Sequence, residues 1–224
     1  MTSSKSCATA RSSAPAPAGA RVPGGAAVNR PAAIVLAAGA SSRMGTPKPL
    51  LRWRGKTFLA TICETLTATD VSPVVVVCAG ADDKFRRLHS TLSVVWAVNP
   101  HPEAGMLSSL RCGLAALGPA ERNVLLCLVD HPAVRPETYA ELCAWARRDR
   151  IIVPTHQGRR GHPVVFGAAF LDELRTGACP QGARTLLLAH AAAVVEVRVP
   201  DEGILRDIDT PAELRRLRAA ESAA

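Results

Sequence analysis

Short runs of uninterrupted apolar residues alternate along the chain with longer segments in which apolar residues recur with a helical period. The short runs predict buried strands, and the periodic segments predict helices with one apolar face. Strands are predicted at 34–36, 73–78, 93–98, 123–129, 151–153, 163–166 and 193–199. Helices are predicted at 57–68, 82–89, 106–117, 136–148, 182–189 and 210–220. Strands that are apolar throughout favour an α/β fold, with a mostly parallel sheet covered by helices on both faces.

The predicted strands also indicate where a ligand would bind. In open parallel sheets, ligands bind outside the carboxyl ends of the strands. The loops that follow Leu36, Cys78, Val98 and Val129 would therefore share one edge of the sheet. We expect the binding site at this edge.

The loop after the first predicted strand has the character of a phosphate site. Gly39 and its small neighbours leave room for main-chain N–H groups to reach phosphate oxygens. Arg43 and Lys48 add two cations, one a planar fork and the other a mobile point charge. The alternative is an ordinary strand-to-loop junction, which is often rich in glycine and serine. The residues predicted to bind nucleotide in this loop are Leu36, Ala37, Ala38, Gly39, Ser42, Arg43 and Lys48.

Two other phosphate motifs are excluded by their spacing. The chain has no G-x-G-x-x-G dinucleotide fingerprint after a predicted strand. Gly55-Lys56-Thr57 ends like a Walker A motif, but Leu50 stands where that motif needs its first glycine. We therefore expect Lys56 to be an ordinary surface residue ahead of a helix.

Carboxylates occur at two places where a phosphate-bound metal ion could be held. Asp130 directly follows the strand at 123–129 and suits Mg²⁺, which takes one or two protein carboxylates together with phosphate oxygens. Asp207 and Asp209 lie two residues apart in an extended segment, so both side chains would point the same way. The alternatives are that Asp130 caps the following turn and that Asp209 caps the helix predicted from Thr210.

Further candidates lie in the other loops of this edge. Gly80 ends the second predicted strand, and Gly105 opens the helix at 106–117. Gly105 and Ser109 would line the base and ribose of a nucleotide, unless Ser109 is only a helix N-terminal residue. His162 would act on a second substrate or be a partly buried structural histidine, and the residues alone favour the structural role.

The first thirty residues differ in composition from the rest. They are Ser, Ala, Pro and Gly with scattered bases and no acidic residue, so we expect residues 1–30 to be a disordered tail. A transit peptide and a wrongly assigned start codon are the alternatives. The net charge is +8, and the tail supplies four of these charges, which leaves +4 for residues 31–224. Aromatic residues make up only 4% of the chain, so stacking platforms for single-stranded nucleic acid are scarce, and we expect no nucleic-acid partner.

Cysteine usage and hydropathy bear on localisation. Seven cysteines occur, none in a C-x-x-C pair. An odd number without metal-like spacing is typical of a reducing cytoplasm, and it argues against a zinc site. No stretch reaches the roughly 20 apolar residues of a membrane span. We therefore expect a cytoplasmic protein without a membrane partner.

Five short motifs carry a resemblance to a known family. They are LAAGASSRMGTPKPLL at 36–51, GMLSSL at 105–110, VDHP at 129–132, GRRGHP at 158–163 and DIDTP at 207–211. In this order and at these intervals they resemble the MobA-like nucleotidyltransferases, and within that family they are most similar to the molybdenum-cofactor cytidylyltransferases. The resemblance covers nearly everything from Ala32 to about Leu217.

The resemblance implies a three-layer α/β/α Rossmann-like nucleotidyltransferase fold over residues 31–224, with a mostly parallel mixed sheet. It implies that a nucleoside monophosphate is transferred to the phosphate of molybdopterin or molybdenum cofactor, with release of pyrophosphate. The catalytic residues would be Arg43, Lys48 and Asp130. The cofactor would be Mg²⁺, held by Asp130 and Asp209. The acceptor pocket would include Arg160, Gly161 and His162.

Details of the motifs bear on the two substrates. The LAAG opening matches cytidylyl members better than guanylyl members, which more often show LAGG, so CTP is the expected donor and GTP the alternative. Relatives often carry glutamine where this chain has His131. They also usually show Gly-Asp shortly before Gly-Ala-Arg, whereas here the sequence at 177–181 is GACPQ. Because this acidic residue is missing, the motifs determine the identity of the acceptor less closely than that of the nucleotide.

Two other functional classes stay open. One is a non-catalytic carrier or chaperone that delivers molybdenum cofactor to a molybdoenzyme. The other is a diverged small-molecule oxidoreductase. Retention of Arg43, Lys48 and Asp130 argues against the carrier, because a carrier has no need of a metal-triphosphate site. The lack of a dinucleotide fingerprint argues against the oxidoreductase.

Overall fold

The computed structural model describes residues 30–39, 44–80, 83–119 and 122–222. The strands are β1 Ala32–Leu36, β2 Arg52–Trp53, β3 Lys56–Thr57, β4 Val74–Ala79, β5 Val95–Asn99, β6 Val124–Leu128, β7 Ile151–His156, β8 Arg159–Arg160, β9 Val164–Phe166 and β10 Val194–Arg198. The α-helices are α1 Phe58–Ala68, α2 Asp83–Leu88, α3 Met106–Leu117, α4 Pro136–Trp145, α5 Leu171–Thr176, α6 Arg184–Ala189 and α7 Pro211–Ser222. Strands and helices therefore alternate along most of the described chain.

One large sheet runs through the molecule in the order β10-β7-β9-β6-β1-β4-β5, with β8 paired to β7. β1 is parallel to β4 and β6, β4 is parallel to β5, and β7 is parallel to β10. β9 runs antiparallel between β6 and β7. This mostly parallel mixed sheet confirms the predicted fold class.

Helices cover the sheet on both faces. Because successive side chains of a strand point to opposite faces, β1 contributes to two separate cores. Ala33 and Val35 pack in one core with residues of α1, α4 and α7. Ile34 and Leu36 pack in the other with residues of α3, α5 and α6. The result is a three-layer arrangement in which every residue of β1 is buried.

The helix predicted at 136–148 ends three residues early, at Trp145. Ala146 has extended backbone angles, and the guanidinium of Arg147 donates hydrogen bonds to the carbonyl oxygens of Ala144 and Ala146. Carbonyl groups at the helix end are thus partnered by a side chain instead of by a further helical turn. Arg147 and Arg148, which the predicted helix included, therefore lie beyond the end of α4.

Among the strands and α-helices of the described residues, three short elements were not predicted; a two-residue strand is too short to show any period. They are the β2–β3 hairpin, β8 and α5. The hairpin turns at Arg54 and Gly55, which both have positive φ, as a two-residue turn between twisted strands requires. Lys56 is exposed, as expected, but lies in β3 and does not simply precede the helix. Thr57 caps α1, since its hydroxyl oxygen accepts a hydrogen bond from the N–H of Ala60 at 3.1 Å.

Several expectations concern residues outside the described ranges. The predicted tail falls there except for Arg30, as does residue 82 at the predicted start of α2. Within the described ranges, no helix is long and apolar enough to cross a membrane. The six cysteines in those ranges are free thiols.

Candidate active site

The site lies beside β1, where the order in which successive strands are added to the sheet changes direction. From β1 the chain continues to β4 and β5 on one side, and β6 later pairs on the other side. Hydrogen bonds from the N–H of Ala37 to the carbonyl of Val77 (2.8 Å), and from the N–H of Val129 to the carbonyl of Leu36 (3.2 Å), extend both pairings past the strand ends. The loops separate only beyond these bonds, which opens a cleft at the carboxyl edge, where such sheets bind ligands.

Two adjoining cavities occupy this cleft. One has a volume of about 310 Å³ and includes Leu36, Ala38, Gly39, Lys48, Gly105, Ser109 and Asp130 among its lining residues. The other has a volume of about 470 Å³ and includes Ala37, Ala38, Gly39 and Gly80. Nine of the predicted nucleotide-site and metal-site residues therefore line one connected region. Ser42 and Arg43 lie outside the described residues, so their predicted roles stay predictions.

Lys48, Asp130 and Asp209 converge although they are far apart in sequence. Lys48 begins the short 3-10 helix Lys48–Leu50, Asp130 lies two residues after the end of β6, and Asp209 precedes α7. The Lys48 ammonium donates to Oδ2 of Asp130 at 2.8 Å, and it also donates to Oδ1 of Asp209. The side chains are 16%, 22% and 37% exposed, so the cluster is shielded but still open to a ligand.

The helix after Asp209 is capped by other residues. The carboxylate of Glu213 accepts the N–H groups of Asp209 and Thr210 at 2.8 and 2.7 Å, and the Thr210 hydroxyl oxygen accepts the N–H of Glu213 at 3.3 Å. This reciprocal pair is a capping box. The Asp209 carboxylate is therefore not needed as the cap and contacts Lys48 instead, while Asp207 is exposed.

The charges of the cluster stabilise one another. Burial alone would raise the pKa of Asp130, but hydrogen bonds from His131 and Lys48 outweigh it and hold this pKa well below its usual range. Burial opposes the charge of Lys48, yet its bonds to Asp130 and Asp209 raise the pKa of the ammonium above its usual value. At neutral pH the site therefore contains an ionised carboxylate next to a protonated amine.

A histidine pair lies beside Asp130. His131 is buried, and its Nδ1 lies 2.9 Å from Oδ1 of Asp130. The ring of His162 packs against that of His131, with centroids 5.4 Å apart and an edge-to-face orientation. Burial, and then the neighbouring His131, lower the pKa of His162 to about 4, so this ring is neutral at pH 7. Its Nδ1 is buried without a hydrogen-bond partner in the described part of the molecule.

The three residues predicted to meet the acceptor lie together in a third cavity of about 860 Å³. Arg160, Gly161 and His162 line it, and it shares Gly105 and Met106 with the smaller cavity beside Asp130. Arg160 is held by Glu196, whose carboxylate accepts its Nε–H at 2.7 Å. A side chain at Gly161 would meet the carbonyl oxygen of Ile204 at 2.3 Å, so only glycine fits there. The geometry therefore joins a nucleotide-sized cleft to a second, larger cavity.

Sequence reasoning missed one residue of this region. Asn99 ends β5, is 1% exposed and donates to the hydroxyl oxygens of Ser108 and Ser109 at 2.8 and 2.9 Å. The Asn99 side-chain oxygen accepts the N–H of His101 at 2.9 Å. Asn99 therefore ties the loop after β5 to the start of α3. A buried amide at the carboxyl end of an apolar strand is a signal that could have identified it.

Comparison with known proteins agrees with this geometry. The sequence pattern of the MobA-like NTP transferase domain matches residues 33–194. The chain is 31% identical to nicotine blue oxidoreductase of Paenarthrobacter nicotinovorans, over 82% of this chain and 94% of that protein. It is 27% identical to molybdenum cofactor cytidylyltransferase of Escherichia coli (strain K12), over 80% of this chain and 90% of that protein.

A solved structure is similar along the same length. The Rv0371c protein of Mycobacterium tuberculosis H37Rv, in complex with manganese, superposes with a TM-score of 0.69 at 26% identity. The match covers 85% of this chain and 99% of that one. Sequence match, fold and cleft agree, and the chain belongs to the MobA-like NTP transferase family, which makes it a nucleotidyltransferase.

Proposed function

We propose that this protein transfers CMP from CTP to the phosphate of a molybdopterin-type acceptor and releases pyrophosphate. The observation that carries the proposal is the contact of the Asp130 and Asp209 carboxylates with the ammonium of Lys48. This contact lies where the cleft after β1 meets the cavity lined by Arg160 and His162. Transfer requires both substrates to meet at one charged point. The resemblance to a molybdenum cofactor cytidylyltransferase over 80% of the chain supports the choice of donor and acceptor.

The residues present fit a divalent cation. Oxygens of Asp130 and Asp209 converge on the ammonium of Lys48, which marks a point where positive charge is already stabilised. Hard carboxylate oxygens are the ligands that Mg²⁺ and Mn²⁺ take, with phosphate oxygens and water completing the shell. Among the described residues no group of three or more acidic, histidine or cysteine side chains could hold a metal ion, so the proposal is that two carboxylates and the substrate phosphates would share it. The bound ion would offset charge on the transferring phosphate.

The protein groups would act mainly by charge and position. An oxygen of the acceptor phosphate attacks the α-phosphorus, a new P–O–P linkage forms, and the bond to the leaving diphosphate breaks with its electron pair on the diphosphate oxygen. Lys48 would neutralise charge on the phosphates once a metal ion has displaced it from the carboxylates. Main-chain N–H groups from Ala38 onwards would bind phosphate oxygens, and Arg43 is proposed as a second cation there.

The acceptor assignment depends on the larger cavity. Its walls include Arg160 and Arg184, two cations suited to an anionic acceptor. Cys179 and Gln181, from the segment that departs from the family pattern, line the same cavity. Members of the family could therefore differ in their acceptor through substitutions in this wall, without any substitution in the nucleotide cleft.

Pyrophosphate release tests the proposal. Purified protein is incubated with Mg²⁺ and each nucleoside triphosphate in turn, with and without molybdenum cofactor. We expect release with CTP only when the cofactor is present; release with GTP instead would make the protein a guanylyltransferase. Asp130→Ala should abolish release without unfolding the protein, and Asp149→Ala is the control because this carboxylate is exposed. No release with any triphosphate, together with tight binding of the cofactor, would favour a carrier.

A second candidate is an oxidoreductase, and the 31% identity to nicotine blue oxidoreductase favours it. The discriminating assay measures oxidation of NADH or NADPH by nicotine blue in the absence of any nucleoside triphosphate. Turnover there, without pyrophosphate release in the first assay, would select this function. The missing dinucleotide fingerprint leads us to expect none.

A further inference from the structure

His131 lies where it can control the orientation of the Asp130 carboxylate. Its Nδ1 lies 2.9 Å from Oδ1 of Asp130, and only 10% of the His131 side chain is exposed. An ionised carboxylate can only accept hydrogen bonds, so Nδ1 of His131 carries a proton and donates it. This bond is local in sequence, but it fixes one of the two oxygens of a candidate metal ligand.

The two oxygens of Asp130 consequently have different neighbours. Oδ1 accepts from His131, and Oδ2 accepts from the ammonium of Lys48 at 2.8 Å. Rotation of the carboxylate would break both bonds at once. Oδ2 is thereby held facing the position of the Lys48 ammonium, which the Asp209 carboxylate also contacts.

His131 is itself held from the side of the acceptor cavity. The His162 ring packs edge-to-face against it, and His162 lines that cavity. The main chain of His162 is fixed because its N–H donates to the carbonyl of Ile204 at 3.0 Å. Gly161 packs against the same carbonyl oxygen. A rigid support therefore runs from the wall of the acceptor cavity through both rings to Asp130.

We propose that His131 is a positioning residue, which holds Oδ1 of Asp130 so that Oδ2 faces a divalent cation, with the His162 ring as its support. The inference rests on the metal site of the proposed function. It assigns no chemistry to either imidazole. It predicts that metal affinity depends on a hydrogen-bond donor at the Nδ1 position of residue 131.

The test measures Mn²⁺ affinity without nucleotide or turnover, from the electron paramagnetic resonance signal of free Mn²⁺. His131→Leu removes the donor, and His131→Asn keeps an N–H near the Nδ1 position. We expect His131→Leu to bind Mn²⁺ about 10- to 100-fold more weakly, the usual cost of removing a partner of a metal ligand. His131→Asn should stay within about threefold of the wild type, since it retains most of that contribution.

Several outcomes would overturn the inference. Unchanged affinity in a folded His131→Leu protein would do so, and so would equal losses in the leucine and asparagine variants, because that result would indicate packing alone. If the wild type binds Mn²⁺ only with CTP, the same variants are compared with CTP present, each against a protein-free Mn²⁺-CTP solution. A wild type that binds no Mn²⁺ under either condition would overturn the metal assignment as well, which separates the two failures. If the leucine variant does not fold, His131→Gln replaces it, because its amide lies nearer the Nε2 position.

The support from His162 is tested in the same assay. His162→Phe keeps an aromatic ring against His131, whereas His162→Ala removes it. We expect the alanine variant to lose Mn²⁺ affinity and the phenylalanine variant to retain it. Equal affinities in both variants would refute the role of the ring contact.

Discussion

Replacing Lys48 by methionine removes the ammonium that bridges Asp130 and Asp209 and leaves a side chain of similar length. In the wild type a divalent cation must displace this ammonium before it can bind both carboxylates. In the variant this ammonium no longer competes with the cation. Lys48→Met is therefore expected to bind Mn²⁺ more tightly than the wild type when no nucleotide is present.

The size of the effect follows from the two hydrogen bonds. A hydrogen bond to a charged group contributes about 1.5 to 3 kcal/mol, so two give about 3 to 6 kcal/mol. Because the carboxylates are 22% and 37% exposed, solvent screening reduces this sum, and we take about half. About 1.5 to 3 kcal/mol corresponds to a gain of roughly 10- to 100-fold in affinity.

The same substitution has the opposite effect on the substrate. With its metal ion bound, the triphosphate needs Lys48 as a cation, so Mn²⁺-CTP should bind Lys48→Met more weakly than the wild type. Both affinities can be measured by titration at pH 7. Lys56→Met is the matched control, since it removes an exposed ammonium that pairs with Glu64 away from the site. Unchanged or weaker binding of Mn²⁺ alone by Lys48→Met would refute the view that Lys48 stands in for the cation.

Three further predictions concern stability. Burial lowers the pKa of His162 to about 4, so the contribution of its neutral form to stability is complete above pH 6.5 and is lost as the pH falls towards 4. In urea titrations, the unfolding free energy of the wild type, measured relative to that of His162→Phe, should fall by up to about 3 kcal/mol over this range. Gly161→Ala would place its Cβ 2.3 Å from the carbonyl oxygen of Ile204, and it should cost about 1 to 3 kcal/mol in the same measurement, whereas Gly39→Ala, which meets nothing within 4 Å, should not. Asp201→Ala leaves three neutral donors without their buried acceptor and should cost at least about 3 kcal/mol, at about 1 to 3 kcal/mol for each donor, and a loss below 1 kcal/mol would contradict this.

The sequence predicted the edge of the sheet that carries the site, because the rule for parallel strands needs only strand positions. Lys48 and Asp130 are 82 residues apart, yet both lie in segments that this rule assigns to one edge. Strand order was not predictable in the same way. The pairing of β9 between β6 and β7 depends on contacts among segments distant in sequence, and the apolar run at 163–166 gives no sign of strand direction.

Asp209 shows why some ambiguities of the sequence were avoidable and others were not. A carboxylate just before a helix is typical both of a helix cap and of a metal ligand. Which role it has depends on whether another side chain caps the helix. The spacing of Thr210 and Glu213 already predicts a capping box, which meets the needs of the helix end and leaves Asp209 available. Its actual partner, Lys48, lies 161 residues away and belongs to the tertiary structure. The acceptor cavity was still harder to predict, because residues from segments between 104 and 188 form its walls. Its chemistry depends on which of these segments lie next to one another in the folded protein.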